Sequence, residues 1–208
     1  MARIVDKEAK RASITEAAVE VFARKGFQGT SMDDVAEQAG VSKGSLYAYF
    51  QNKEDLFYAT FEWFNQRTMA EGMAALQAAP TACEKLRALG RVTVESLANN
   101  LDLYPLTLEV WAAAGSGEGR ERFAGAMRHL YDEFRRLVEM IIRVGQGSGE
   151  FRADLEVPAL SALLVGALDG LMLQCWLKPD LPAMNYFDSY LDVLFRGMHP
   201  PFQPGGKA

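Results

Sequence analysis

Cysteine is scarce in this 208-residue sequence. Cys83 and Cys175 are too few for a disulfide framework and lack the spacing of a metal-ligand set. That usage suits a reducing compartment, so a cytoplasmic location is expected. Histidine is equally rare, with His129 and His199 far apart. There is no Gly-x-Ser-x-Gly, no phosphate-cradling glycine loop and no His/Cys/Asp cluster at metal-ligand spacing. The expectation is therefore no enzyme, no cofactor and no metal. Basic charge is short as well: 22 Lys plus Arg against 27 Asp plus Glu leave a net charge of -5. That balance argues against indiscriminate coating of nucleic acid. Long apolar runs are missing too. The N-terminus is charged throughout and has no signal-peptide core. The most membrane-like stretch, 157–177, holds an uncharged run of 12 residues from Val157 to Leu168 before Asp169 interrupts it. A bilayer needs roughly 20, so no membrane partner is expected.

What remains is 49% hydrophobic and 24% charged, enough for a real core. The length allows one sizeable domain, or a small domain fused to a larger one. Apolar residues recur at helical spacing almost everywhere, and no stretch alternates as a strand would. Ile14, Ala17, Ala18, Val21 and Phe22 form one stripe, closed by Gly26. Thr30, three residues before Asp33, is placed to cap a second short helix with Met32, Val35, Ala36 and Ala39 inward, ending at Gly40. Ser42 is placed to cap a third, in which Leu46 and Phe50 share a face. A longer helix follows from about Glu54. Beyond Pro80 the spacing predicts helices over 81–100 and 105–114, a loop at 115–119 and a long helix from Phe123 past Ile141. A turn is expected at Gly145–Gly149, a helix with Pro158 in its first turn up to Cys175, a last helix over Phe187–Met198, and a frayed tail from Pro200. The fold class is all-α.

Two short helices joined by Ala39-Gly40-Val41-Ser42 read as a helix-turn-helix. On the third helix Gly44, Ser45 and Ala48 lie opposite the Leu46/Phe50 core face. A face of small residues buries little against protein but lets a backbone sink into a major groove. Lys43, Tyr47 and Tyr49 flank it, offering an ammonium and phenol hydroxyls to phosphate oxygens, and the free N–H groups of the helix N-terminus add to these. Lys53, Thr30 and Ser31 are further phosphate candidates, and Arg3, Lys7, Lys10 and Arg11 form a basic leader.

The run Ile14–Phe27, then Thr30–Phe50 (Thr-Ser-Met-Asp-Asp-Val-Ala-Glu-Gln-Ala-Gly-Val-Ser-Lys-Gly-Ser-Leu-Tyr-Ala-Tyr-Phe), then Asn52-Lys-Glu-Asp-Leu56, resembles the DNA-binding domain of the TetR family of bacterial transcriptional regulators. The resemblance implies an all-helical homodimer of nine to ten helices per protomer. It places a helix-turn-helix DNA-binding domain at 1–53 and a larger effector-binding and dimerisation domain at 54–208. It also implies operator contacts from Ser42, Lys43, Gly44, Ser45, Tyr47, Tyr49 and Lys53.

The region after residue 54 is rich in aromatic and Met side chains suited to an adaptable cavity. Phe64, Tyr104, Trp111, Met127, Tyr131 and Met172 are candidate liners, and Glu109 and Asp169 are carboxylates set among apolar neighbours that could meet a cationic group. A pairing of Asp169 with an Arg at an interface edge competes with that role. The last two helices are unusually apolar, and Gly166 and Gly170 permit close helix approach. With the resemblance, this patterning points to a dimer seam through Leu160, Leu164, Ala167 and Leu171, with Phe187, Tyr190 and Leu194. The function expected is that of a ligand-responsive transcriptional repressor. Double-stranded, palindromic operator DNA would release it when a small, largely apolar effector binds. The charge then reads differently: residues 1–55 hold 8 basic against 9 acidic side chains, so a near-neutral head carries a few placed cations.

Overall fold

The structure, a computed structural model, describes residues 2–115 and 120–200, and their side chains except those of 2–6, 97 and 102. The expected loop at 115–119 therefore lies outside the described residues but for Gly115, as does the tail beyond Pro200, and the side chain of Arg3 in the basic leader is not described. Among the described residues there are nine α-helices, one 3-10 turn and no strand.

Helix α1 (Ala2–Gly29) buries the expected stripe, with Ile14, Ala18, Val21 and Phe22 each at most 1% exposed. Its helical path breaks at Gly26 (φ 69, ψ 169), a conformation that side-chain-bearing residues rarely adopt. Helix α2 (Met32–Gln38) is capped by Ser31, one residue later than expected from the Thr30–Asp33 spacing. Asp34 Nα–H donates to Ser31 Oγ (3.2 Å) while Ser31 N–H donates to the Asp34 carboxylate (2.8 Å), a reciprocal capping box. Lys25, 2.7 Å away, and the Ser31 donors hold the Asp34 carboxyl well below the usual carboxylate range. Thr30 instead turns its hydroxyl back to donate to the Gly26 carbonyl (2.7 Å). Helix α3 (Lys43–Tyr47) is a single short run, capped by Ser42, whose Oγ accepts from Ser45 N–H (3.2 Å).

Phe22, Leu46, Phe50 and Leu56 are fully buried in one core, extended by Phe57. The Phe57 ring centroid lies 5.3 Å from that of Phe22, 4.8 Å from Phe27 and 5.8 Å from Phe123. This core draws in the start of α4 (Lys53–Ala78), Val110 of α6 (Tyr104–Gly115) and Phe123 of α7 (Arg120–Ser148). Residues up to Arg67 together with Asn100–Arg128, which include the 3-10 turn Leu101–Leu103, form one compact unit. Arg122 ties α7 to α4 within it, bonding Asp55 at 2.9 Å and stacking 3.8 Å over the Tyr58 ring.

The second unit comprises Thr68–Asn99 and the chain from His129 on. In it α5 (Ala82–Ala98), α8 (Val157–Leu177) and α9 (Ala183–Met198) pack on one another. Arg87 bridges α5 to α9 through Asp188 (2.9 Å) and Asp192 (2.5 Å). The Gly145–Gly149 stretch is not the expected turn: α7 continues to Ser148, and only Gly149 takes a positive φ of 77°. Gly145 sits inside the helix because the Phe151 ring packs where its Cβ would be, 2.2 Å away. Helix α8 has 21 residues and is long and apolar enough, by length and composition alone, to cross a membrane, more than its 12-residue uncharged run suggested. A core helix passes the same test. Asp169 interrupts this one, and Leu164, Leu168, Met172 and Cys175 are buried within the protomer.

Candidate nucleic-acid interface

The α2–α3 pair hides its apolar side and leaves a polar, small-residue face open. Leu46 and Phe50 have no exposure, whereas Ser42, Lys43, Gly44, Tyr47 and Ala48 are exposed. A Cβ built on Gly44 would find no atom within 4 Å. Ser45 and Tyr49 are half-buried, and Tyr49 also packs against the core. The Arg11 guanidinium lies 4.8 Å from the Phe50 ring, which brings the leader's last basic residue to the end of α3. One partner of this face was not evident from spacing. Lys43 Nζ is bonded to the Asp33 carboxylate at 2.8 Å, and that partner raises the lysine pKa. Both side chains are exposed, so a phosphate can replace Asp33 at little cost.

Two expected phosphate contacts are otherwise engaged. Thr30 is buried, its hydroxyl committed to the Gly26 carbonyl. Lys53 spends its three N–H donors on the carbonyls of Phe27 (2.8 Å), Thr30 (3.0 Å) and Gln28 (3.5 Å), and its ammonium lies 4.5 Å from the centre of the Phe27 ring. It fastens the start of α4 to the segment that precedes α2. Ser31 is exposed, but its hydroxyl already serves the α2 cap.

The effector candidates divide between the units. Phe64, Tyr104, Glu109, Trp111 and Met127 belong to the first, and Tyr131, Asp169 and Met172 to the second. Glu109 does not stand free for a cationic ligand: the Phe27 N–H donates to its carboxylate at 3.0 and 3.3 Å. Tyr104 is buried, Phe64 half-buried, Met127 packed against the first unit's core and Trp111 about half exposed. In the second unit Met172 is fully buried. Among the described residues Asp169 pairs with no Arg; it accepts from the Tyr131 hydroxyl at 2.8 Å. Burial pushes the Asp169 carboxyl up, and the Tyr131 bond only partly offsets this.

The α8–α9 surface also differs from its sequence reading. Leu164 and Phe187 are buried inside the protomer, and the Phe187 ring occupies the space of a Cβ on Gly90, 1.9 Å from it. Leu160, Ala167, Leu171 and Leu194 are half-buried and Tyr190 is at the edge of exposure. The open apolar groups share only Tyr190 with the expected set. On α8 they are Leu163, Leu173 and Leu177, with Gly166 and Gly170 unobstructed between them. On α9 they are Tyr186, Tyr190 and Val193. The spacing 163, 166, 170, 173, 177 alternates three and four, so these positions share one face of α8.

Comparison with known proteins agrees with this geometry. Residues 14–60 match the family model described as bacterial regulatory proteins, tetR family. Residues 82–194, more than half of the chain, match the model of the BetI-type transcriptional repressor, C-terminal. The fatty acid metabolism regulator protein of Bacillus subtilis is 27% identical over 93% of this chain and 97% of its own. The HTH-type transcriptional repressor KstR2 of Rhodococcus jostii is 26% identical over 73% of this chain and 72% of its own. The crystal structure of a transcriptional regulator from Pseudomonas aeruginosa superposes with a TM-score of 0.75 at 28% identity, covering 92% of each chain. A helix-turn-helix head with a sealed core and an open small-residue face, followed by a matching helical C-terminal region, accounts for all of these likenesses: the chain belongs to the TetR family of DNA-binding bacterial transcriptional regulators.

Proposed function

We propose that the chain works in the cytoplasm as a homodimeric repressor. In this reading residues 1–53 bind a palindromic operator, and 54–208 carry dimerisation and a site for a small, largely apolar effector, with no catalytic step. The observation that carries the reading is the open face of α3: Gly44 is unobstructed, Lys43 and Tyr47 point to solvent, and Leu46 and Phe50 are sealed beneath. Such a helix can enter a major groove without losing protein packing. Ser42, Lys43, Gly44, Ser45, Tyr47 and Tyr49 are its proposed contacts. The seam of Leu163, Gly166, Gly170, Leu173 and Leu177 with Tyr186, Tyr190 and Val193 supports a two-fold dimer, because an isologous interface needs one self-complementary patch.

The likeness to a fatty acid metabolism regulator supports an acyl-chain effector. An effector acts by preferring the state in which the two heads are wrongly spaced, and its effect is bounded by that preference. A second reading, an effector with a cationic end, rests on the half-buried Asp169, which accepts from the Tyr131 phenol. The test uses a duplex selected by the wild-type protein from a random-sequence library. Lys43→Ala and Tyr47→Ala should each weaken binding at least tenfold with the dimer intact; unchanged affinity in both refutes the α3 reading. Acyl-CoAs of increasing chain length and a quaternary ammonium series, scored by release of the duplex, separate the two effector readings.

A further inference from the structure

The backbone between α1 and α2 leaves helical geometry at Gly26, and side chains take up five of the backbone polar groups around that break. The Gly26 carbonyl accepts from Thr30 Oγ1 at 2.7 Å. The Phe27, Gln28 and Thr30 carbonyls accept from Lys53 Nζ. The Phe27 N–H goes to Glu109, 82 positions further on in α6, whose two carboxylate oxygens lie 3.0 and 3.3 Å away. Thr30 and Lys53 belong to the head; Glu109 does not. Its neighbour Val110, 1% exposed, anchors α6 in the same core, so the carboxylate is held where the break needs it.

The break controls direction. Residues 26–30 lead into Ser31, the cap of α2, so rotation about Gly26 swings the helix-turn-helix relative to α1. A glycine at φ 69 has little steric preference of its own. The conformation is set by the bonds on either side of it. Without Glu109 the part-buried Phe27 N–H loses its partner, which penalises the present arrangement and favours others that expose it. We propose that Glu109 is a positioning residue for operator binding: from α6 it fixes the Gly26–Phe27 peptide, and so the pose in which α2 and α3 are presented to DNA. Any displacement of α6 is then felt by the head at this bond, a coupling through one identifiable contact.

This rests on α3 meeting the DNA, and the test separates the two claims. On the selected duplex, Glu109→Ala should bind at least tenfold more weakly than wild type, while Glu109→Gln, which keeps an acceptor for the Phe27 N–H, should stay within threefold. Hydrogen exchange should show faster exchange of residues 26–30 in Glu109→Ala, with the α8 and α9 amides and the dimer unchanged. Glu109→Ala within twofold of wild type, or Glu109→Gln as defective as Glu109→Ala, overturns the proposal. So does a loss of affinity accompanied by loss of protection throughout the chain, which marks unfolding and not repositioning. Lys43→Ala and Tyr47→Ala on the same duplex report the α3 reading independently. If they weaken binding and Glu109→Ala does not, only the positioning role falls.

Discussion

Truncating the open side chains of α8 and α9 should dissociate the dimer without unfolding the protomer. Leu163 is 69% exposed and Val193 70%, so about two-thirds of each side chain remains to be covered by a partner. Full burial of a leucine or valine is worth about 1.5–3 kcal/mol, so cutting each back to alanine removes about 1 kcal/mol of association per side chain. The two-fold counts every change twice. Leu163→Ala/Val193→Ala therefore forfeits about 4 kcal/mol, a roughly thousandfold rise in the dimer Kd. Sedimentation velocity from nanomolar to micromolar protein reads this directly, with a melting curve to confirm that the protomer stays folded. The control is Leu164→Ala. That neighbouring side chain is only 3% exposed within the protomer, so its loss should lower stability by about 2–5 kcal/mol while leaving the intrinsic affinity of folded protomers nearly unchanged. A Kd for Leu163→Ala/Val193→Ala within threefold of wild type would refute the assignment of this face. An effect on association from Leu164→Ala alone would restore the register expected from sequence.

The remaining expectations concern charge and titration. Operator affinity should fall steeply with salt, and Lys43→Ala should lower the slope of log K against log salt by about 0.9 per protomer, roughly 2 for the dimer; an unchanged slope would mean Lys43 meets no phosphate. Burial raises the Asp169 carboxyl, so the folded chain holds a proton that the unfolded chain has released, and this contribution to stability is lost as pH rises from the ordinary Asp range near 4 through the raised value. Asp169→Asn, which can still accept from Tyr131, should thus melt above wild type at about pH 7 and level with it near pH 4 by calorimetry; the reverse order would contradict the sign of the shift. Burial and the neighbouring Glu150 carboxylate push the Cys83 thiol up to about 12, and burial raises Cys175 as well. Both should resist iodoacetamide at neutral pH until urea unfolds the chain, as read by mass spectrometry; fast alkylation of native protein would count against this.

Much of the molecule was determined by the sequence alone. Helical periodicity specified the all-α class, the Ile14–Phe22 stripe and the opposition of Leu46 and Phe50 to Gly44 and Ala48, because local geometry dictates which residues share a face. The caps of the two short helices were legible to within a residue: Ser31 in place of Thr30 shifts a box whose spacing both pairs satisfy. Tertiary structure decided what each polar side chain does, since partners distant in sequence compete for it. Glu109 and Lys53 looked like ligand and phosphate groups, yet both serve the peptide bonds around Phe27, where the Gly26 break leaves donors and acceptors that must be paired. It decided the helix at Gly145 too, where the Phe151 ring occupies the space of a Cβ, and which apolar side chains of α8 and α9 stay open. On α8 and α9 the apolar pattern alone does not tell the face covered by the protomer's own helices from the face left open. Only the packing of Phe187 against Gly90, with Leu163 and Val193 left open, separates them.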